Sequence, residues 1–393
     1  MNKPLLLTIP STATFSQRIS RIVGLATSTP QFSISQADAA EVAQQLKISE
    51  RWNHALPKLY RKSGVDRRSS VLLQSEHGSP ISRQCFYPTA TDANRSGPST
   101  LQRMKAYAEY AGPLLAQACS DAIAISNIDA SVITHLVTVS CTGFFAPGVD
   151  LEIIRRLELS PNVQRTHVGF MGCHGALNGL NAARSITQSD PEAVVMLGAV
   201  ELCSLHQQYS EDPQQLVANS LFADGAASLI LAGSETSDFA LNSQDFDENT
   251  SWTVQSHCSF VLPGTSSMMS WTIGNDGFVM TLDPHVPSII EQSLHEVIQK
   301  WLASQFLSIA EIGGWAIHPG GPRIVESAGR ALGLSDEALI PSLSVLRDCG
   351  NMSSPTVLFI LDKLWKSQPD SQTIVMLAFG PGLCIEASLL SRQ

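Results

Sequence analysis

Apolar residues in the first 130 positions recur mostly with a helical period. The segments ISQADAAEVAQQLKI (34–48) and LQRMKAYAEYAGPLLAQACSDAIA (101–124) place apolar side chains three and four positions apart, with few glycines or prolines. Between them, residues 63–98 are polar and rich in Ser and Arg, which predicts loop with short elements. The first part of the chain is therefore predicted to be mainly helical.

After residue 130 the pattern changes to short runs of Val, Leu and Ile bounded by Gly, Ser or Asp, which are typical of buried strands. The predicted strands are HLVTVSCT (135–142), VVMLGAV (194–200), AASLILAG (226–233), GGWAIHPG (313–320) and TIVMLAFGPG (373–382). Helical patterns separate them at 150–159, 176–186, 289–304, 323–333 and 354–366. This alternation predicts an α/β fold in which helices cover the sheets.

The theme is repeated in two halves, which indicates an internal duplication. The most polar stretch, Ser234 to Asn249, is the predicted junction, giving an N-terminal half 1–235 and a C-terminal half 236–393. A length of 393 residues suits two fused domains, and 44% apolar residues suffice for a large core. The net charge of −10 argues against a general binder of nucleic acid or anionic membrane.

Targeting signals are not apparent in the sequence. The apolar run Leu5 to Ile9 lies between two prolines and is too short for a secretory signal, so a first strand or an arm is expected there. No run reaches the ~18 apolar residues of a transmembrane helix. The expected location is the cytoplasm.

Eight cysteines are scattered singly, without a CxxC pair, so a disulfide framework is not expected. The segment VGFMGCHGALNGLNAARSI (168–186) singles out Cys173, because a strand-like run ends at Gly172-Cys173 and a helical run follows. A thiol at a helix N-terminus is favoured as thiolate. A buried structural cysteine is the alternative at this point.

Two further residues can act with that cysteine. His318 in GGWAIHPGGP follows a predicted strand, and α/β sheets bind ligands at the carboxyl ends of their strands. Asn351 in CGNMSSPTVLFIL precedes a helix expected to start near Ser353 or Ser354, and its amide can donate to an oxyanion. Each residue alone has a structural alternative. His318 could simply be hydrogen-bonded to backbone groups, and Asn351 could cap the helix. Together they suit acyl transfer.

Other chemistry fits the sequence less well. His174 is next to Cys173, but consecutive side chains at a helix start diverge, so it is a poor base candidate. The histidines lack metal-ligand spacing, so no metal is predicted. The glycine loops HPGGP and AFGPGL lack the Lys and Ser/Thr of a phosphate-binding loop.

These motifs resemble the type III polyketide synthases, whose best-known members are the plant chalcone and stilbene synthases. The similarity runs from about residue 20 to the C-terminus through GFMGCHGALNGL, NSLFADGAASLILAG, WAIHPGGPRIVE, CGNMSSPTVLFIL and AFGPGLCIEA. It implies a thiolase-type fold of five layers, αβαβα, working as a homodimer. It also implies that Cys173, His318 and Asn351 are catalytic.

The resemblance assigns further roles one residue at a time. Phe222 matches an aromatic gatekeeper between the coenzyme A tunnel and the cavity, and Met280 falls where plant members carry a second gatekeeper, Phe. Lys58 and Lys62 match residues that hold coenzyme A phosphates, although a solvated helix face explains them equally well. The third basic position falls on Ala55, and Arg323 is a candidate replacement.

Several cavity positions depart from the plant pattern. Those that differ are Cys141, Ala146, His206 and Trp271, whereas Ser353 matches. Phe379, Gly380 and Pro381 belong to a loop that shapes the cavity floor, with Ala378 in place of the usual glycine. SCTG and ELCSL look more like the bacterial branch, so the product is not expected to be a chalcone.

The resemblance implies decarboxylative condensation of malonyl-CoA onto a starter acyl group held on Cys173, with coenzyme A thioesters as substrates and no cofactor. Met280 and Ala146 favour a fatty acyl-CoA starter and an alkylpyrone or alkylresorcinol product, and self-priming by malonyl-CoA is the next possibility. Trp271 and His206 add bulk and argue the other way. Two rival functions remain open, a ketoacyl-ACP synthase III-like enzyme and a catalytically silent acyl-CoA-binding protein.

Overall fold

A computed structural model describes residues 19–236, 252–368 and 370–392. The expected N-terminal strand or arm at Leu5 to Ile9 and most of the predicted junction lie outside the described residues. The strands are β1 Arg21–Ser28, β2 Ser33–Ser35, β3 Arg67–Ser69, β4 His135–Ser140, β5 Gln164–Gly169, β6 Val194–Leu202, β7 Asp224–Ala232, β8 Trp252–Val261, β9 Met269–Gly274, β10 Gly277–Leu282, β11 Gly314–Ile317, β12 Thr373–Gly380 and β13 Cys384–Arg392. The α-helices are α1 Gln36–Gln45, α2 Leu56–Arg61, α3 Thr100–Ser126, α4 Val149–Arg156, α5 Gly175–Ser189, α6 Pro213–Leu221, α7 Val286–Ser304, α8 Pro322–Leu332, α9 Asp336–Cys349 and α10 Thr356–Ser367.

Nine strands form one mixed sheet in the order β11-β12-β13-β8-β1-β7-β6-β4-β5. The same pairing occurs twice along it. In one half β4 and β6 are parallel, and β7 and β1 follow antiparallel. In the other half β11 and β12 are parallel, and β13 and β8 follow antiparallel. The halves meet at β1 and β8 through only two residue pairs, so two similar sheets are joined edge to edge.

Alternation of side chains along these strands creates three large cores. In β6, Met196 packs with α3 in the first core, whereas Leu197 packs with α5 in the second. In β12, Met376 joins the second core, whereas Val375 packs with α7 and α8 in the third. Helices α5 and α10 both lie in the second core, between the two sheet halves. The layers are therefore α, β, α, β, α, which confirms the predicted thiolase-type fold.

The predicted helices and buried strands after residue 130 are present, with shifted ends. α10 begins at Thr356, after Pro355, and not at Ser353 or Ser354. The prediction of a mainly helical first part was incomplete, because β1 is a strand buried between β7 and β8. The sequence reading also missed β8, β13 and the hairpin β9–β10, whose polar residues interrupt the apolar runs that mark buried strands.

The described part of the chain contains no helix that is both long and apolar enough to cross a membrane.

Candidate active site

Cys173 lies in a tight turn that connects β5 to α5. The strand ends at Gly169, so the prediction that it continues to Gly172 is wrong. Phe170 and Gly172 both have left-handed backbone, with φ of 59° and 77°, and this breaks the strand. A Cβ on Gly172 would come within 2.5 Å of Cδ of Pro381, so only glycine fits. The turn thus places Cys173 immediately before the N-terminus of α5.

The nucleophile candidate is a buried thiol with few polar neighbours. Ser353 Oγ lies 3.6 Å from Cys173 Sγ, and Ser353 itself has a left-handed φ of 56°. The N–H of Gly172 donates to Cys141 Sγ at 3.0 Å, which anchors the turn on the end of β4. Burial raises the pKa of Cys173 to about 11, and the Ser353 hydrogen bond only partly opposes this. These surroundings favour the thiol over the thiolate, whereas a position at a helix N-terminus was expected to favour the thiolate.

A buried carboxylate that the sequence reading missed lies beneath this turn. Glu201 in β6 accepts hydrogen bonds from Cys141 N–H at 2.9 Å, Thr142 Oγ1 at 2.8 Å and Ser354 Oγ at 2.7 Å. These bonds tie the N-terminal half to the loop after α9. Burial raises the pKa of Glu201 to about 7, although its donors favour the ionised form. The signal in the sequence was an acidic residue inside the buried run VVMLGAVEL.

His318 follows β11 directly, as predicted. Its backbone N–H donates to Leu377 O at 2.7 Å, which fixes the main chain. The ring is buried, and neither ring nitrogen has a hydrogen-bond partner among the described residues. Burial lowers the pKa of His318 to about 3, and a charge on His174 would lower it further. The ring is thus neutral and free to bind a ligand.

Asn351 lies in an isolated β-bridge with Phe222, between the two halves. Its N–H donates to Leu221 O and its carbonyl accepts from Ala223 N–H, both at 2.9 Å. The side-chain Oδ1 accepts from Ser353 N–H at 2.8 Å, so Nδ2 is turned to the other side. No hydrogen bond within the described chain uses Nδ2, which leaves it as a donor for a ligand.

One cavity brings these three residues together. Cys173, His318 and Asn351 line it with Phe222, Met280 and Phe379, and with the smaller or aliphatic side chains Ala218, Leu221, Met269, Leu282, Gly320 and Ile324. A second cavity shares Cys173 and is lined by Cys141, Ser353, Trp271 and Pro381. Cys203, which the sequence reading did not select, also lines this second cavity.

A third and larger cavity begins where the first two end. Phe222 and Met280 line all three cavities, and Trp271 lines the second and third. These side chains separate the nucleophile from the third cavity, and we refer to them as the gate. Beyond the gate one wall is apolar and comes from β2, α1 and the residue that follows it, through Ile34, Ala39, Val42 and Leu46. The coenzyme A tunnel that the resemblance expects beside Phe222 stays a prediction.

His206 and Trp271 form a rigid wall of the third cavity. His206 Nε2 donates to Thr142 O at 2.7 Å, and its Nδ1 accepts from Phe278 N–H at 3.0 Å. Its ring stacks on Phe278 with centroids 4.1 Å apart. Trp271 Nε1 donates to Cys141 O at 2.8 Å. Burial lowers the pKa of His206 to about 3, so this histidine is neutral and structural.

The predicted coenzyme A residues lie on the surface, outside the cavities. Lys58 and Lys62 belong to α2 and its C-terminal cap, and Arg323 is exposed in the first turn of α8. The α2 segment is tied at two points to α6 and α8, which supply residues to the active-site cavity. Gln36 links it to Ser220, two residues before Phe222. Gly64 packs closely against Pro322. A Cβ added to Gly64 would lie 3.3 Å from Cγ of Pro322.

The floor loop is interlocked with the nucleophile turn. Phe379 lines the first cavity and Pro381 the second. Gly380 lines neither, because it lies against the ring of His174, where a Cβ would come within 2.3 Å of Cδ2. Ala146 is exposed and lines none of the three cavities of its own chain.

Comparison with known proteins identifies the family. Residues 11–235 match the N-terminal domain of chalcone and stilbene synthases, and residues 253–392 match the C-terminal domain. The chain is 32% identical over 372 residues to the alpha-pyrone synthesis polyketide synthase-like Pks18 of Mycobacterium tuberculosis, covering 94% of this chain and 90% of that protein. It is 31% identical over 392 residues to 1,3,6,8-tetrahydroxynaphthalene synthase of Streptomyces peucetius, covering 98% and 97%.

The fold of a solved relative agrees with this assignment. The crystal structure of PKS-I from the brown alga Ectocarpus siliculosus superimposes with a TM-score of 0.86 at 29% identity, covering 96% of this chain and 99% of that one. The family matches span nearly the whole length, and the cysteine, histidine and asparagine motifs meet in one cavity. The chain therefore belongs to the chalcone and stilbene synthase family, the type III polyketide synthases.

Proposed function

We propose that this acyltransferase condenses malonyl-CoA with an acyl-CoA starter held as a thioester on Cys173. One observation carries the proposal. The Cys173 thiol shares a buried cavity with two side chains whose hydrogen-bonding atoms are unused, the ring of His318 and Nδ2 of Asn351. Buried polar groups are normally paired, so unpaired ones around a thiol suit a ligand oxygen.

The first step loads the starter. Sγ of Cys173 attacks the thioester carbonyl while its proton passes to a ring nitrogen of His318. Nδ2 of Asn351 donates a hydrogen bond to the developing oxyanion. The carbon–sulfur bond to coenzyme A then breaks, and the coenzyme A thiolate takes the proton back from His318. If the proton moves as the sulfur attacks, no persistent thiolate–imidazolium pair of Cys173 and His318 has to form. Burial of both side chains makes such a pair unfavourable.

The second step extends the chain. Malonyl-CoA binds with its thioester oxygen at His318 and Asn351 and loses carbon dioxide, leaving an enolate that the two donors stabilise. The enolate carbon attacks the acyl carbonyl on Cys173, the carbon–sulfur bond breaks, and the released Cys173 thiolate takes a proton from solvent. The product, longer by two carbons, is again a coenzyme A thioester and can reload the cysteine. Coenzyme A thioesters thus supply every reacting group, and we propose that no cofactor and no metal take part.

Replacing Cys173 tests the assignment. Cys173→Ala should abolish product formation from starter and malonyl-CoA, measured by mass spectrometry. Cys349→Ala, which removes a thiol away from the three cavities, is the matched control and should retain activity. Condensation at the wild-type rate in Cys173→Ala would refute the mechanism. Activity only with acyl carrier protein would favour a ketoacyl-ACP synthase, and failure of iodoacetamide to label Cys173 would favour a silent binding protein.

A fatty acyl-CoA starter is the proposed substrate class, with an alkylpyrone or alkylresorcinol as product. The apolar wall of Ile34, Ala39, Val42 and Leu46 gives an alkyl chain somewhere to lie beyond the gate. Met280 in that gate is flexible enough to let a chain pass. The name of the mycobacterial relative, which refers to alpha-pyrone synthesis, supports the same class. Assays of medium-chain, long-chain and aromatic CoAs against malonyl-CoA alone decide between starters.

A homodimer and a cytoplasmic location complete the proposal. β5 is the end strand of the sheet, with exposed side chains along most of its length, and Phe144 and Met171 beside it are large apolar residues at the surface. An edge strand with an apolar margin suits pairing with a second copy. Light scattering of the purified chain tests the dimer. The location and the domain boundary at residue 235 stay predictions from the sequence.

A further inference from the structure

The hairpin β9–β10 lies apart from the main sheet and carries two of the three gate side chains. β9 contributes Trp271 and β10 contributes Met280, and the two residues are paired across the hairpin. Among the described residues, β10 pairs with no strand other than β9. In an antiparallel pair every second residue turns its N–H and C=O away from the partner strand. One edge of β10 therefore offers backbone groups that need partners from elsewhere.

Side chains fill this edge, where a third strand would otherwise pair. The first outward residue is Phe278. Its N–H donates to His206 Nδ1 at 3.0 Å, and its carbonyl accepts from Gln208 Nε2 at 3.1 Å. Both partners belong to the segment between β6 and α6. His206 and Gln208 thus make the bonds that a neighbouring strand would have made at this residue.

Two glutamines of α6 bond the next outward residues. The Met280 carbonyl accepts from Gln215 Nε2, and the Leu282 N–H donates to Gln214 Oε1 at 2.9 Å. A carbonyl only accepts and an N–H only donates, so each amide has a defined orientation. Gln215 is almost fully buried, whereas Gln214 is partly exposed. We call Gln208, Gln214 and Gln215 the glutamine ladder.

The helix that carries two members of the ladder also leads to the third gate residue. α6 ends at Leu221, and Phe222 is its C-terminal cap. Asn219 of α6 holds Gln208, because its Oδ1 accepts from the Gln208 N–H at 3.0 Å and its Nδ2 donates to the Gln208 carbonyl at 2.8 Å. Arg68 Nη1 donates to the carbonyls of Asn219 at 2.6 Å and Phe222 at 3.0 Å, which fixes the end of the helix. The ladder therefore joins the hairpin side of the gate to its helix side.

We propose that the glutamine ladder is a set of positioning residues that fixes the spacing of the gate and so decides which starter acyl groups pass it. The inference rests on the proposed function, because it concerns the starter that is loaded on Cys173. A two-stranded hairpin is marginally stable by itself, so loss of a ladder bond lets β10 move relative to α6. Met280 and Phe222 then no longer keep one spacing, and the gate admits bulkier starters.

Hydrogen exchange tests whether the ladder bond forms. The Leu282 amide, followed by mass spectrometry of peptides from β10, reports its bond to Gln214. Gln214→Met removes the acceptor and should speed this exchange about fivefold, the usual worth of one hydrogen bond. Gln214→Glu keeps an accepting oxygen and should keep the wild-type rate. Gln117→Met is the control outside the ladder, since Gln117 bonds Asp121 on the exposed face of α3.

Starter selectivity tests what the ladder does. The readout is the ratio of kcat/KM for benzoyl-CoA to kcat/KM for octanoyl-CoA, each assayed with malonyl-CoA. This ratio should rise about fivefold in Gln214→Met and in Gln215→Met, and further in the double variant. Methionine is as long as glutamine but apolar, so it removes the bond without emptying the site. Gln214→Glu should keep the wild-type ratio. A residue that acts only on stability would lower both rates together and leave the ratio in place.

Two results would overturn the proposal. Unchanged exchange in Gln214→Met means that the ladder bond does not hold β10, and faster exchange with an unchanged ratio means that the freed hairpin does not affect the starter. If Gln215→Met or the double variant does not fold, the pair Gln214→Met and Gln214→Glu decides alone. A wild-type chain that forms no product from any acyl-CoA contradicts the proposed function, whereas product formation with wild-type selectivity in every ladder variant contradicts only this inference.

Discussion

The two halves of the molecule hold their active-site residues in opposite ways. In the N-terminal half, the turn of Cys173 is fastened from below by Cys141 and by the Glu201 network. In the C-terminal half, the main chain at His318 and Asn351 is fixed, but the ring nitrogens of His318 and the amide nitrogen of Asn351 have no partner in the described chain.

The proposed function explains this difference. A nucleophile forms a covalent bond, so its position must be defined within a fraction of an ångström before substrate arrives. Oxyanion donors must instead leave their hydrogen bonds free for an atom that is present only during reaction. The two halves share one α/β unit but use it differently. The polar groups around Cys173 are hydrogen-bonded within the protein, whereas the side-chain donors of His318 and Asn351 are left unpaired in the described chain.

The largest loss of activity is expected when the unpaired hydrogen-bonding groups of the C-terminal half are replaced. His318→Gln and Asn351→Ala should each lower malonyl-CoA decarboxylation by about 10²–10³-fold, the usual loss of an oxyanion donor. The melting temperature should change little for His318→Gln, because the ring makes no hydrogen bond that unfolding would break. Asn351→Ala should cost somewhat more stability, since its Oδ1 bond to Ser353 is lost. A large drop in melting temperature with decarboxylation retained would make both residues structural.

The contrast also explains what the sequence could and could not predict. Cys173 and His318 were found because each follows a strand-like run, and Asn351 because it precedes a helix. Apolar periodicity predicted the α/β class, whereas the resemblance to type III polyketide synthases implied the five-layer fold. Glu201 and His174 were not selected, because an acid in a strand and a histidine in a helix cap have no local pattern that marks them. Their partners are distant in the chain: Glu201 bonds to Cys141 and Ser354, 60 and 153 positions away, and His174 packs on Gly380.

A smaller effect is expected at the gate shared by the three cavities. Met280→Phe should lower turnover of long-chain acyl-CoA about tenfold relative to malonyl-CoA alone, because a rigid ring narrows the passage to the third cavity. Leu282→Phe is the matched control, since Leu282 lines only the cavity of Cys173 and should lower both rates alike. Equal losses for both substrates in Met280→Phe would place the acyl chain elsewhere.

The exposed cations of α2 and α8 should contribute less again. Lys58→Ala, Lys62→Ala and Arg323→Ala should each raise KM for malonyl-CoA about threefold without changing kcat, because a surface contact to phosphate is screened by water. The effect should shrink as salt is added. Lys366→Ala, on α10, is the control. A KM that ignores both the mutation and salt would leave these residues as a solvated face.

The last prediction concerns the Glu201 network and is one of stability, with little expected effect on the rate. Glu201 is fully buried and its pKa is raised to about 7, from an ordinary value of 4.5. A carboxyl group with a raised pKa stabilises the fold most below its unfolded pKa, and this stability is lost as pH rises through the folded pKa. The wild type should therefore lose up to about 3 kcal/mol from this group between pH 4.5 and pH 8.

Glu201→Gln cannot ionise, so it should not show that loss. It also replaces an accepting oxygen by a donating nitrogen, which lowers its melting temperature at every pH. The informative quantity is the difference in melting temperature between wild type and variant, which should narrow by several degrees from pH 5 to pH 8. A difference independent of pH would mean that Ser354, Thr142 and the Cys141 N–H keep Glu201 ionised throughout. An ionised carboxylate would then anchor the turn of Cys173.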